Sequence, residues 1–260
     1  MRIAVLDDDP AQLAHLVHTL THQLVMGDDL VSCAPFAQGE SLRRALRRET
    51  FDLLVLDWNV PDLDGVELLS WLRRHQKSQV PVVMLSSRAS ERDVAGALGV
   101  GADDYVVKPF RPMELCARIR RLLARRRPEP NGDIETFGDW TFERATLSAT
   151  FRPDPLESEA SSERYVLTDR EFRFALALFR NMGKAVSRSY LLENAGYSGE
   201  ETATRLLDSH IYRLRNKLGL HSGRRLRLQT IYGQGYRLQV SEPEASPVVP
   251  DVLASPDRAA

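Results

Sequence analysis

Cysteine is nearly missing from this 260-residue chain. Cys33 and Cys116 are the only two, and they fit no metal-ligand spacing, so neither a cysteine-built metal centre nor a disulfide scaffold is available. Both read as reduced, structural thiols of a cytosolic protein. No apolar stretch approaches the roughly 20 residues needed to span a bilayer, and no signal peptide precedes RIAVLDDD, which points to a soluble cytoplasmic chain with no membrane partner. Net charge is also scarce, formally -1, but the near-zero sum hides an imbalance. Residues 1–124 carry 15 Lys/Arg against 17 Asp/Glu, whereas residues 165–240 carry 13 against 6. An excess of cations in one half suits a polyanion partner, although a solvated basic face has the same composition. What is plentiful is apolar material: 43% hydrophobic with 27% charged residues describes a globular chain long enough for two cores.

The first 124 residues alternate short apolar runs with segments of helical length. RIAVL (2–6), LVSCA (30–34), DLLVL (52–56), PVVML (81–85) and YVV (105–107) read as strands covered on both faces, and five such units predict a doubly wound parallel sheet. The last helix runs out into RRRPEPNGD, so residues 125–135 read as a linker. Polar groups collect where the strands end: Asp7, Asp8 and Asp9 after the first, Asp57 after the third, Ser86 and Ser87 after the fourth, Lys108 and Pro109 after the fifth. In an open α/β sheet that edge is the ligand crevice. Close carboxylates repel unless a cation neutralises them, and oxygen ligands with room for water suit Mg2+. A hydroxyl and an ammonium beside that cation supply what a phosphoryl group needs, which makes Asp57 a candidate phosphoryl acceptor. Taken singly, DDDP also reads as a helix N-cap, Ser86 as a turn hydroxyl and Lys108 as a solvated loop residue.

The second half reads differently. Residues 133–151 suggest short antiparallel strands, and LTDREFRFALALFRN (167–181) suggests a helix capped by Thr168 or Asp169. Another helix opens at Ser187. A third, from about Thr202 to Leu218, places Leu207, Ile211, Leu214 and Leu218 on one face and Arg205, Ser209, Tyr212, Arg213 and Asn216 on the other. The second set mixes cations with hydrogen-bonding groups, as base edges and phosphates require. Asp208, three positions after Arg205, is expected to be its structural partner. LRLQTIYGQGYRL (226–238) signals a hairpin with Gln234 at its tip, completing a winged helix-turn-helix. RPDPLESEASSER (152–164) reads as a mobile acidic insertion, and residues 241–260 as a disordered tail.

LDDDP, LDWNVPDLDG, PVVMLSSR and GADDYVVKPF resemble the flavodoxin-like receiver domain of two-component response regulators over residues 1–124. LTDREFRFALALFRN, SRSYLL, TRLLDSHIYRLRNKL and QTIYGQGYRL resemble the winged-helix effector domain of the OmpR/PhoB class, expected over residues 136–240. The resemblance implies a transcription factor whose Asp57 receives a phosphoryl group from a histidine kinase. Asp7, Asp8, Asp57 and the Asn59 carbonyl would hold Mg2+; Ser86 and Lys108 would bind phosphoryl oxygens; Tyr105 would swing inward with Ser86; and Lys108-Pro109 would be cis. It further implies a phosphorylation-promoted homodimer through Leu98, Asp103, Asp104, Glu114, Arg118 and Arg125, and a third helix in the major groove of double-stranded DNA with the hairpin at the minor groove.

Three positions depart from the pattern. Ser87 replaces the usual Ala; Val94 stands where a Lys or Arg faces Glu114; and Tyr232 replaces a basic residue on the wing, leaving Gln234 as the expected groove contact. Two other classes compete. An aspartate-based phosphohydrolase would use the same groups but place a second Asp two residues after the nucleophile, where this chain has Asn59. A phosphorylation-independent regulator would be expected to lack part of the Asp, Ser and Lys set, which is complete here.

Overall fold

The computed structural model describes residues 1–27, 29–124, 133–152, 162–197, 201–221 and 225–241, with only the backbone for 201–205. Five strands, β1 (Arg2–Leu6), β2 (Ser32–Phe36), β3 (Leu53–Asp57), β4 (Val82–Ser86) and β5 (Asp104–Val107), form one parallel sheet in the order β2-β1-β3-β4-β5. Successive strand side chains point to opposite faces, so both faces need a cover. Ile3, Val5, Leu53, Val55, Val83 and Leu85 pack under α1 (Pro10–Gln23) and α5 (Pro112–Ala124). Ala4, Leu6, Leu54, Leu56, Val82 and Met84 pack under α2 (Gly39–Ala45), α3 (Gly65–Arg74) and α4 (Glu91–Val100). This double cover explains why β3 reads as an unbroken apolar run. The strand order reverses direction at β1, so a crevice opens beyond the carboxyl ends of β1 and β3.

At the other end of the sheet, Arg73 fixes the starts of β4 and β5. Its guanidinium donates to the carbonyls of Ser78 and Val80 at 2.9 Å and of Gly101 at 3.0 Å, and pairs with Asp103 at 3.0 Å.

The second domain opens with an antiparallel sheet of β6 (Ile134–Phe137), β7 (Trp140–Glu143), β8 (Ser148–Phe151) and β9 (Glu163–Val166). Then come α6 (Asp169–Arg180), β10 (Ala185–Ser187), α7 (Arg188–Asn194), α8 (Glu201–Lys217) and the hairpin β11 (Leu226–Ile231) and β12 (Gly235–Val240). Thr168 caps α6 in a capping box with Glu171, and the Ser187 hydroxyl caps α7 by accepting from the Tyr190 amide. Phe142, Phe172, Phe174, Phe179, Leu207, Ile211, Leu214 and Leu238 build a separate core.

Several boundaries differ from expectation. β2 lies two residues later than the apolar run 30–34, because pairing with β1 runs from Arg2 with Ser32 to Leu6 with Phe36, leaving Leu30 half exposed. β6 begins inside the expected linker. β9 begins at Glu163, inside the expected insertion, because Glu163 and Arg164 pair with Phe151 and Thr150. β10 was not anticipated; three residues carry no readable period, and pairing with β12 alone defines it. Residues 125–132, 153–161 and 242–260, which hold most of the expected linker, insertion and tail, lie outside the described residues.

The two domains meet at the amino-terminal edge of the parallel sheet. Thr50, Asp52 and Arg2 of the first face Ser187, Tyr190 and Glu193 of the second.

Candidate functional site

The crevice holds the residues expected there. Asp7 ends the run of β1 and is fully buried, Asp8 is exposed, and Asp57 closes β3 with its side chain only 8% exposed. A carboxylate oxygen from each lies within 4.8 Å of the others. Asp9 turns away from the group: its carboxylate caps α1, accepting from the Ala11 amide at 2.8 Å and the Gln12 amide at 3.3 Å. The Lys108 ammonium lies 2.8 Å from Asp7 Oδ2 and 3.0 Å from Asp57 Oδ2. Burial pushes Asp57 above the usual carboxylate range; the Lys108 cation only partly offsets this, and the Asp7 charge adds to it. Burial alone would lower Lys108, but its bonds to Asp7 and Asp57 outweigh that and keep it protonated well beyond neutral pH. The Lys108-Pro109 peptide is cis, as expected.

Ser86 is buried at the end of β4, with its hydroxyl accepting from the Arg88 amide at 3.1 Å. Tyr105 already lies inward. Its hydroxyl donates to the Arg88 carbonyl at 2.7 Å and its ring meets Trp58 edge to face. Sequence reasoning passed over Arg88. Its guanidinium stacks on Trp58, 5.1 Å from the ring centre, and donates to Asn59 Oδ1 at 3.1 Å, forming a cationic lip on the crevice. Two signals were available in the sequence, a cation two residues after Ser86 and an aromatic next to Asp57.

Gly65, the first residue of α3, lets that helix start against the crevice floor. A β-carbon there would sit 2.1 Å from the Asp57 carbonyl oxygen.

On the α4, β5 and α5 surface, Leu98, Val107 and Met113 are 44%, 41% and 82% exposed. Val94 packs against the core beneath α4. Arg118 bridges Glu114 at 2.9 Å and Asp104 at 3.3 Å within its own chain. Arg73 and the Val82 amide both donate to one oxygen of the Asp103 carboxylate. Arg125 lies outside the described residues.

In the second domain Leu207, Ile211, Leu214 and Leu218 are buried, and Ser209, Tyr212, Arg213 and Asn216 are exposed, as the helical spacing predicts. The side chain of Arg205 is outside the described residues. Asp208, its expected partner, pairs with Arg188 at 2.8 Å and accepts from the Tyr236 hydroxyl, joining α7, α8 and the wing. Burial and that bond push Tyr236 up to about 12. Leu206 is 47% exposed beside the polar face, a residue the sequence reading left out. Gln234 is exposed in the turn between β11 and β12, next to fully exposed Tyr232.

Two family models match the chain. The response regulator receiver domain covers residues 3–120, and the C-terminal domain of transcriptional regulatory proteins covers residues 162–238. The alkaline phosphatase synthesis transcriptional regulatory protein PhoP of Bacillus subtilis is 32% identical over 243 residues, spanning 92% of this chain and 96% of PhoP. The phosphate regulon regulator PhoB of Rhizobium meliloti is 32% identical over 239 residues, spanning 92% of this chain and 98% of PhoB. The chain is a response regulator of the OmpR/PhoB family. CseB of Streptomyces avermitilis is 36% identical to this regulator over 230 residues, spanning 84% of this chain and 91% of CseB. Among solved structures, the Thermotoga maritima OmpR/PhoB homologue DrrB is 29% identical with a TM-score of 0.41, covering 92% of this chain and 98% of that one. This response regulator is accordingly a DNA-binding transcriptional regulator, and its relatives are named as regulators. Among its described residues no helix is long and apolar enough to cross a membrane.

Proposed function

We propose that Asp57 accepts a phosphoryl group from the phosphohistidine of a partner kinase, and that the modified receiver pairs with a second copy to put two winged-helix domains on promoter half-sites. In the transfer, an Asp57 carboxylate oxygen forms the new P–O bond as the P–N bond breaks, and the departing imidazole nitrogen keeps the electron pair. The observation that carries this reading is the Lys108 ammonium within reach of both Asp7 and Asp57. A cation fixed there can follow charge onto the phosphoryl oxygens, and Ser86 at the neighbouring strand end supplies a hydroxyl donor. Asp7, Asp8, Asp57 and the Asn59 carbonyl would hold Mg2+. Hard oxygen donors with exposed Asp8 on the open side leave room for water, as that ion prefers. When bound, the ion neutralises charge on the transferring group. The work is intracellular, in the cytoplasm.

Dimerisation would use the α4, β5 and α5 surface. Val94 in place of a cation removes one intermolecular ion pair per half, leaving Asp103, Asp104, Glu114 and Arg118 as the charged groups of that surface. Exposed pairs contribute only about 0 to 1 kcal/mol each, so Leu98, Val107 and Met113 carry more of the interface. The activated receiver is expected to dimerise, and Arg118→Ala to weaken it. Sedimentation of the regulator with and without beryllofluoride is the check, and a monomer at tens of micromolar would refute the reading.

On DNA, Ser209, Tyr212, Arg213 and Asn216 would face the major groove, with Leu206 offering apolar contact to thymine methyls and Gln234 at the wing. Arg213→Ala should cost about 1 to 3 kcal/mol on specific DNA if the guanidinium reads a base. If it neutralises a phosphate, the salt dependence should flatten by about one unit of slope instead. Titrations at several salt concentrations separate the two, and no change in either would mean the reading face lies elsewhere.

A further inference from the structure

Asp62 lies in the loop that leaves the crevice after Asp57, and its carboxylate is turned onto a different element. Oδ1 accepts from the Gly39 amide at 2.9 Å and Oδ2 from the Glu40 amide at 3.0 Å. Both amides belong to the start of α2, where the cap residue Gln38 makes no side-chain bond of its own. An acid from outside the helix therefore satisfies donors that the helix start leaves open. Burial would raise the Asp62 pKa, but the amides of Glu40 and Gly39 outweigh it and hold the carboxyl below the usual range. The approach is tight as well as polar. A β-carbon at Gly39 would stand 2.6 Å from the Leu63 carbonyl oxygen, so α2 begins in direct contact with the loop.

The loop so held carries the residue after Trp58. At its near end the Trp58 amide donates to the Leu85 carbonyl at 2.9 Å, and at its far end the Gly65 amide donates back to the Trp58 carbonyl at 2.9 Å. Val60 is buried, but Asn59, Pro61 and Asp62 are exposed. Asn59 matters twice over: its amide opposes the rise that burial imposes on the Asp57 pKa, and its carbonyl faces the proposed metal. Carboxylates of Asp7, Asp8 and Asp57 can turn about their own side-chain torsions to meet an ion. A backbone carbonyl moves only with its loop. Mg2+ demands near-octahedral geometry, so the ligand that cannot adjust is the one that must be placed in advance.

We propose that Asp62 is a positioning residue for phosphoryl transfer: by clamping the loop to the start of α2, it fixes the Asn59 carbonyl as a metal ligand. The inference rests on the Mg2+ site proposed above and adds to it the group that holds one ligand in place. Groups that orient metal ligands from outside change affinity by about 10- to 100-fold, and the lower figure applies to one that acts through the backbone between Asp62 and Asn59.

The test uses the full chain and reads metal binding apart from phosphorylation. Mn2+, which suits the same oxygen donors, is titrated in while its free-ion paramagnetic resonance signal is followed, and Mg2+ is then added as competitor. Asp62→Ala is expected to raise the Mg2+ dissociation constant about tenfold. Asp62→Asn, which loses the charge but keeps one acceptor oxygen, is expected to fall between that value and the wild type. Leu42→Ala is the control, because it loosens α2 at a buried apolar position away from the loop; it should lower the melting temperature and leave Mg2+ affinity within about twofold. With acetyl phosphate, labelling of Asp62→Ala at saturating Mg2+ should return to within about twofold of the wild-type rate, since the loss is one of metal affinity. The clamp is overturned if Asp62→Ala binds Mg2+ normally, if Asp62→Asn falls as far as Asp62→Ala, which would make the effect one of charge, if Leu42→Ala weakens binding equally, or if labelling stays slow at saturating Mg2+. A wild-type chain that leaves the Mn2+ signal unchanged at millimolar concentration removes the metal reading itself, whereas a wild type that binds beside an unaltered Asp62→Ala removes only the clamp.

Discussion

A chain carrying Asp57→Asn is expected to take up no phosphoryl group from acetyl phosphate and Mg2+, under conditions in which the unaltered chain is modified stoichiometrically. The crevice contains three carboxylates, so the claim is that only one of them is the nucleophile. Asp7 is fully buried, with Lys108 on one oxygen and the Asp9 amide on the other. Asp8 is exposed but does not contact Lys108 at bonding distance in any pair found among the described residues. Asp57 retains a small exposure, 8% of its side chain against none for Asp7, and has the ammonium 3.0 Å away. The amide of Asn at position 57 keeps the shape and one acceptor but has lost the nucleophilic oxygen pair, so labelling should vanish while the fold survives. Intact-mass measurement reads the result directly, and labelling of the variant at wild-type stoichiometry would reassign the acceptor.

The second large effect is expected from Gly65→Ala. No unusual backbone angle is involved; the constraint is proximity, since the added carbon would stand 2.1 Å from the Asp57 carbonyl oxygen. That oxygen belongs to the backbone at the end of β3 and cannot rotate out of the way, and the helix start is fixed by Asp64, whose carboxylate accepts from the Val66 amide at 2.8 Å. Either α3 or the end of β3 must shift. Overpacking of this kind costs roughly 1 to 3 kcal/mol, and here the upper part of the range applies because the obstacle is main chain. The receiver should melt several degrees lower, and phosphorylation should slow more than the stability loss alone explains, because the displaced residue carries the acceptor. Calorimetry paired with the rate of modification tests this; wild-type values for both would show that the helix start yields freely.

How far the sequence could be read depended on the physics behind each feature. The crevice was legible because strand ends in a parallel sheet converge by topology, so Asp7, Asp57, Ser86 and Lys108 could be brought together without coordinates. The buried face of α8 was legible because its leucines keep helical spacing. Pairings between distant elements were not. Spacing along α8 puts Asp208 beside Arg205, but nothing in that spacing shows that Arg188 and Tyr236 reach it from α7 and β12. The fork by which Arg73 reaches Asp103, thirty positions away, leaves no trace in the sequence. β10 was invisible since three residues form a strand only when β12 is already there. The contact between the domains was out of reach for the same reason: Thr50, Ser187 and Tyr190 are unremarkable polar residues until the fold sets them face to face.

Asp52 and Asp57 bracket β3, a strand of five residues, with the domain contact at its start and the phosphoryl crevice at its end. At about 3.3 Å per residue they are separated by roughly 17 Å along one fully buried strand. Any movement of the strand that follows events at Asp57 therefore arrives at the effector domain inside one polypeptide. Pairing of two chains obeys mass action and fades as copy number falls, whereas a response along β3 is unimolecular and does not depend on copy number.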